Sequence, residues 1–576
     1  MMKNTYLFIF FLLFSLFSYS QTSFELQKLK DFAKLYGIVR YFHPSDEAAE
    51  LDWNAFGAYG VEEILKTKNQ QEFEKKLKEL FIPIAPSLSF KGKKYHWNTL
   101  HLYPVYWIHN GLGLGSIPYK GIKTYFSSRF NKDTLNSLKR GPVNMNPYYT
   151  LNLSNNITLT IPIIVYTNGN HTLPVKDSQH FNQMVKKINK VYLTDFDRNI
   201  SLVNIIIIWN IFRHFYPYQK EIEINWNKIL ESGLKEAYSN KTENDHLLTL
   251  KKFTAVFQDG HIKISNSKIK DLDDYALPVS WKWIENQLVV NKIMNSVTGI
   301  EKGDIIQKIN GQTVKNYMDS TGQYISGSKQ WRQWAALQEG LKGSKGSKIT
   351  LLFNDGKKIE LSREYLYQKN QNFYSREDTI MFKELNSNIL YLNLDKITKY
   401  QFYQQYDKIK SFHKIILDLR GYPNKGVREM LTNFFPNKFF NDVFFKPLIK
   451  EPELRGVEWK GGRWLYKLTD SLLAKIVLLV DERCISYAES VTSYLKENKF
   501  VTILGHSTAG ANGNVNRIKL ADNFFMTFTG MKVKNPDGSQ FFTKGVQPDI
   551  YIDYTIEGIK QGKDPFIEKA VEVLNK

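Results

Sequence analysis

Two stretches 173 residues apart follow one pattern, and an internal repeat constrains a fold more than any composition does. Arg40-Tyr41-Phe42-His43-Pro44 is followed, nine residues after its proline, by the Trp of Asp52-Trp53-Asn54. Arg213-His214-Phe215-Tyr216-Pro217 is followed at the same spacing by the Trp of Asn225-Trp226-Asn227. Each copy runs on into apolar residues near i, i+3, i+4 spacing: Phe73, Leu77 and Leu80 in the first, Leu247, Leu248, Leu250 and Phe253 in the second. The pattern predicts two small helical units, at 21–89 and 196–270. The first closes on Ile84-Ala85-Pro86-Ser87 and the second on Gln258-Asp259-Gly260-His261, so only the second ends in a histidine.

At 576 residues the chain is long enough for several modules. Its one cysteine, Cys484, excludes an intramolecular disulfide framework and any cysteine-based zinc or iron–sulfur site. The formal charge of +21 comes from scattered lysines rather than a massed basic patch, which predicts a basic surface and no nucleic-acid partner. Residues 1–20 carry Lys3, an apolar run from Tyr6 to Phe17, and small residues at Ser18 and Ser20. This is the pattern of a secretory signal cut after Ser20; its apolar run of about twelve residues is shorter than the ~20 that span a bilayer. With no later run of that length, the mature protein is expected to be secreted or periplasmic, without stable membrane insertion. No cofactor and no metal site is expected, since His43 and His214 sit among aromatics and no His-Glu-x-x-His pattern occurs.

Residues 90–195 are rich in Tyr, Trp, Asn and Gly, and Thr158 to Tyr166 alternates as strands do, giving a β-rich domain of unassigned role. Gly111-Leu112-Gly113-Leu114-Gly115 precedes no helical pattern and reads as a turn rather than a phosphate loop. Over 271–370 short strands alternate with turns around Gly299 to Gly311, where a Gly-Asp turn, an apolar strand and Asn310-Gly311 follow in order. This resembles a PDZ domain. The resemblance implies that an extended peptide adds to a sheet edge and that its C-terminal carboxylate is held by backbone amides. Over 371–576, continuous apolar runs at 389–392, 415–419 and 476–480 predict strands buried on both faces, and a helix is expected from Ser486 to Lys496. The fold class is therefore multidomain α/β.

A buried strand, a short turn and a serine at a helix start form a favourable place for a nucleophile, because first-turn amides are unpaired there. Ser486 fits that description, as it also fits an ordinary N-cap. The order of pieces decides between them: Asp-Gly-His, PDZ-like domain, Asp-Leu-Arg-Gly turn, then Cys484-Ile485-Ser486-Tyr487-Ala488-Glu489. Across residues 200 to 555 this resembles peptidase family S41, the C-terminal processing (tail-specific) and tricorn-type proteases. Gly505 to Gly510 and Gly545-Val546-Gln547-Pro548-Asp549 resemble further family motifs.

The resemblance implies a ClpP/crotonase-like peptidase core acting on peptide or protein substrates, with Ser486 as nucleophile. The lysine of the tail-specific branch is replaced by Ala511, and Lys519 falls outside the motif. The tricorn-type branch instead takes its base from the position of His261, and an imidazole suits proton transfer at neutral pH. That branch adds a serine before the histidine and a glutamate near the Gly-Val motif, where this chain has Gly260 and Phe542-Thr543-Lys544. Asp259 and Glu489 are the candidates for orienting His261. The oxyanion candidates are the amide of Tyr487 and an amide of Gly421 or Asn424, since Pro423 has no N–H. Cys484 competes as nucleophile. The alternative reading is an inactive binding protein on the same fold.

Overall fold

The computed structural model describes residues 22–118, 121, 123–131, 145–175, 178–269, 274–375, 380–386, 388–424, 426–431, 434–435, 439–465 and 474–576. The export signal read over 1–20 lies outside the described residues.

The helix Ser23–Phe42 starts at a capping box in which Glu25 N–H donates to Thr22 Oγ1 and Thr22 N–H to Glu25 Oε2. It ends where Pro44 forbids its continuation. Arg198–Phe215 starts under Asp197, which accepts from Ile200 N at 2.8 Å, and ends two residues before Pro217. These helices cross where Gly37 leaves no room for a side chain: a Cβ there would lie 1.7 Å from Asn210 Oδ1. Gly37 and Asn210 occupy the same place in the two sequence copies. So do Phe42 and Phe215, whose rings stack at 6.0 Å and 8°. Trp53–Leu65 and Trp226–Tyr238 follow, each capped by the residue before its tryptophan.

In the helix Gln70–Phe81, Phe73, Leu77 and Leu80 are buried as expected. In Glu243–Ala255 the buried stripe is His246, Thr249, Leu250 and Phe253, while Leu248 is 45% exposed. Polar partners move the stripe: His246 Nδ1 meets Ser201 Oγ at 2.9 Å, and Thr249 donates to Asn240. The sequence placed Leu248 on that face because hydropathy carries no information about satisfied polar groups.

Within segment 90–195, Tyr148–Asn152 and Thr158–Pro162 form a separate hairpin, while the other described strands share a sheet with the C-terminal half. Tyr103–Asn110 pairs with Phe126–Phe130 and Ile164–Thr167, and its end pairs antiparallel with the hairpin Phe439–Ile449/Glu458–Leu465 through His109 and Ile449. Gly111 to Gly115 turns out of this sheet, and Ser116 then bridges Ile518. A second, antiparallel sheet holds Val279–Ile284, Gln287–Ile293, Ile305–Ile309, Lys348–Phe353 and Lys358–Ser362 in the order 358–348–305–287–279. Asn310 and Gly311 both take positive φ at its tight turn, as a type I′ hairpin requires. The helix Lys329–Leu341 packs beside the edge strand Val279–Ile284.

The last third builds a parallel sheet from Ile389–Asn393, Lys414–Asp418, Lys475–Val480, Thr502–Gly505 and Ile550–Tyr551, with Phe382–Asn386 antiparallel at one edge. Helix Tyr487–Glu497 covers one face and Pro565–Asn575 the other, which is why the strands read as unbroken apolar runs. Open sheets of this kind bind ligands in the crevice at the carboxyl ends of their strands, and Ser486 lies at that edge.

Candidate active site

After Lys475–Val480 the chain is folded tightly by Asp481, whose carboxylate accepts from Arg483 N and Arg483 Nε at 2.9 and 2.8 Å. Ser486 then caps helix Tyr487–Glu497 with φ +59° and ψ −115°, a strained conformation for a residue with a Cβ. Its N–H holds that geometry, donating to Ala511 O at 2.9 Å and Glu489 Oε2 at 3.1 Å.

Glu489 is fully buried one turn into the helix. Its Oε1 lies 2.6 Å from both Thr508 Oγ1 and Gly510 N, and its Oε2 accepts from Ala511 N at 3.0 Å as well as from Ser486. Burial pushes its pKa up to about 7, against the pull of these hydrogen bonds. Both oxygens are thus filled by the Ser486 turn and the 508–511 loop, so the sequence's suggestion that Glu489 orients His261 is corrected. Glu489 pins Ser486 instead.

His261 follows helix Glu243–Ala255 across a turn closed by Asp259, which accepts from His261 N at 2.9 Å. Strand Lys263–Asn266 then pairs with Phe524–Thr529, setting Lys263 opposite Thr527, and Thr527 Oγ1 donates to His261 O. This brings Thr529 to the ring: its Oγ1 lies 2.8 Å from His261 Nδ1. Asp259, fully buried, accepts from Thr529 N at 2.6 Å and Thr529 Oγ1 at 2.8 Å, and its Oδ1 is 3.9 Å from Nδ1. Burial holds the His261 pKa below its ordinary value; Asp259 opposes that shift and Lys263 adds to it. Nε2 makes no hydrogen bond to any described residue.

The two turns pack against each other. A Cβ on Gly260 would lie 3.1 Å from Ala511 Cβ and 3.2 Å from Ile485 Cδ1, the residues that flank Ser486 in space and in sequence. Helix Lys329–Leu341 braces both sides. Ser326 Oγ accepts from Asp259 N at 2.9 Å, Ser328 Oγ donates to Ala509 O at 2.6 Å, and Gln330 Nε2 donates to Thr508 O at 2.8 Å. Ala511, in the place of the tail-specific lysine, is buried at 2% exposure.

The turn after Lys414–Asp418 differs from expectation in detail. Gly421 N–H donates to Leu419 O within the turn and Asn424 N–H to Leu394 O beyond the neighbouring strand Ile389–Asn393, both at 2.8 Å, so in this conformation both amides are engaged. The amide of Tyr487 lies in the first turn of the helix capped by Ser486. Cys484 is buried, its thiol donates to Leu419 O, and burial drives its pKa far up, so it is a poor nucleophile. His506 is held between Glu482 and Asp553; burial lowers its pKa, but these ion pairs outweigh burial and raise it to about 10. Thr529, Thr508, Ser326 and Gln330 were not visible as site residues in the sequence, because each arrives through a pairing between distant segments.

Residues 388–552 match the model of peptidase family S41. That segment is an S41 peptidase domain. A probable CtpA-like serine protease of Staphylococcus aureus (strain N315) is 24% identical over 268 residues, covering 44% of this chain and 47% of the relative. The chain thus spans about half the length of the curated relatives it matches. Mature CPAF complexed with lactacystin superposes with a TM-score of 0.54 at 13% identity, over 65% of this chain and 97% of CPAF. Mature CPAF alone gives 0.53 at 12% identity, over 65% and 96%. Those superpositions show a fold shared with CPAF over 65% of this chain.

Proposed function

We propose that this chain is an exported serine endopeptidase that hydrolyses peptide bonds, with Ser486 as nucleophile and His261 as general base. The observation that carries this reading is the contact of Gly260 with Ile485 and Ala511, which sets the imidazole turn against the nucleophile turn at a helix N-terminus. His261 Nε2 takes the Ser486 hydroxyl proton as Oγ attacks the carbonyl, and returns it to the leaving amine; water then cleaves the acyl-enzyme. The Tyr487 amide, aligned with the helix dipole, binds the oxyanion, a donor worth roughly 3 to 4 kcal/mol. The turn Gly421 to Asn424 supplies a second donor once substrate displaces one of its hydrogen bonds.

The unit spanning residues 271–370 acts as a PDZ domain that delivers substrate. Its edge strand Val279–Ile284 and helix Lys329–Leu341 border a cavity of about 400 Å³ walled by Trp281, Trp283 and Trp334 on this side and by Glu482, His506 and Asp553 of the C-terminal unit on the other, and a peptide adding to the sheet edge would run between the two. Among the described residues no helix is long and apolar enough to cross a membrane.

The test is covalent labelling of purified protein by a serine-reactive fluorophosphonate, together with peptide hydrolysis. Labelling at Ser486, lost in Ser486→Ala and depressed at least 100-fold in His261→Ala, is expected. Unchanged hydrolysis in either variant refutes the mechanism, and peptide binding with neither labelling nor turnover makes the chain a binding protein on a peptidase fold.

A further inference from the structure

Building on the assignment of His261 as base, we infer that Thr529 is a positioning residue that fixes the His261 tautomer by relaying Asp259 to the ring. The argument is a proton count. A threonine hydroxyl carries one hydrogen and two lone pairs. The Thr529 hydrogen is directed to Asp259 Oδ1 at 2.8 Å, while the Thr529 N–H takes Asp259 Oδ2 at 2.6 Å. The oxygen therefore faces His261 Nδ1, 2.8 Å away, as an acceptor. Nδ1 must carry the imidazole hydrogen, and Nε2 is left with the lone pair that takes a proton from serine. After that transfer the imidazolium still donates through Nδ1 to Thr529, and the Asp259 carboxylate 3.9 Å from Nδ1 opposes the new charge.

The device is built to hold its geometry. Asp259 and Thr529 are both buried, at 0% and 1% exposure. Asp259 also accepts the His261 amide, so two backbone N–H groups hold the carboxylate, and its own amide donates to Ser326 Oγ, which anchors its backbone before the ring is considered. The register of Lys263–Asn266 against Phe524–Thr529 ends at Lys263 and Thr527, and two positions further along places Thr529 level with His261. The charged groups facing His261 are Asp259 and Lys263. In serine triads generally the orienting carboxylate touches the ring directly. Here the hydroxyl occupies that place and the carboxylate acts through it, while Glu489, the other acid near the nucleophile, is consumed by Ser486 and the 508–511 loop.

Thr529→Val keeps the shape and the amide bond to Asp259 but removes the relay. The rate of Ser486 labelling by a fluorophosphonate, followed across acidic to mildly alkaline pH on the full chain, is expected to fall about 10-fold or more, part of the 10² to 10⁴ a general base contributes. Its acidic limb should also shift to lower pH, because the imidazolium loses its link to Asp259. Thr529→Ser is expected to restore both rate and limb, which a merely space-filling role would not require. Nitrogen-15 shifts of the His261 ring in the unaltered protein give a reading independent of any variant's folding: hydrogen on Nδ1 at neutral pH supports the relay, and hydrogen on Nε2 overturns it. A Thr529→Val rate and limb equal to the parent's overturn the relay while His261→Ala still silences labelling. If His261→Ala also labels normally, the general-base assignment falls and the relay with it.

Discussion

Glu489→Gln probes what holds the nucleophile turn, and its effect should change sign with pH. The carboxyl group meets every neighbour: Oε1 accepts from Thr508 Oγ1 and Gly510 N–H, Oε2 accepts from Ser486 N–H and Ala511 N–H, and Thr508 Oγ1 in turn accepts Val546 N–H. A glutamine amide cannot do the same. With its NH2 at the Oε1 position it faces Gly510 N–H; at the Oε2 position it faces both Ser486 and Ala511. The better orientation still strands one buried N–H, at a cost of roughly 1 to 3 kcal/mol. Against this, the folded pKa of about 7 stands above the ordinary 4.5. A group raised in this way contributes stability that is fully present below pH 4.5 and is lost as pH rises through 7, about 3 kcal/mol in all at 1.36 per unit. Glutamine has no such titration. The variant should therefore be less stable than the parent by about 2 kcal/mol in acid and equal or slightly more stable above pH 7. Hydrogen exchange at the amides of Ser486, Gly510 and Ala511 reads the local opening free energy directly. A gap that stays constant, or widens as pH rises, would show that Glu489 acts as a stabilising anion and would refute the reasoning.

Three further outcomes are expected. Burial lowers the pKa of His43, His214 and His246 to about 3 and that of His109 to about 4. All four stay neutral in the folded state, so stability present above pH 6.5 is lost as pH falls below it, by up to about 1.4 kcal/mol per unit for each; urea titrations between neutral and acidic pH should show this. Cys484 should resist alkylation in native protein and react fully once unfolded, as mass spectrometry of iodoacetamide-treated samples would show. Gly510→Ala places a Cβ 2.6 Å from the carbonyl carbon of Thr543 at φ +70°, so it should cost about 2 to 4 kcal/mol and remove most of the hydrolytic activity.

The elements nearest Ser486 were legible because their signals are local. Unbroken apolar runs at 389–392, 415–419 and 476–480 became parallel strands, and the breaker-free stretch after Ser486 became the helix Tyr487–Glu497. His261 was legible only through the order of motifs, since nothing within ten residues of it refers to Ser486. Thr529 was not legible at all: 268 residues separate it from His261, and a sheet register alone brings them together. The turn Gly421 to Asn424 was legible from its glycine and proline, but which of its amides is already spent depends on Leu394 and Leu419, whose carbonyls carry no sequence signal. Leu248 misled because an apolar count ignores buried hydroxyl and imidazole groups that find partners.

The pairing of His109 with Ile449 has a consequence for how the polypeptide is made. Ribosomes add roughly 5 to 20 residues per second, so the strand Tyr103–Asn110 waits roughly 20 to 70 s before its neighbour 340 positions downstream exists. During that interval the strand is already paired with Phe126–Phe130 and Ile164–Thr167, and only its His109–Asn110 end is left with an unpaired edge. Slowing translation between residues 110 and 448 should therefore lengthen the exposure of this short strand end and raise the insoluble fraction modestly, without altering the finished product.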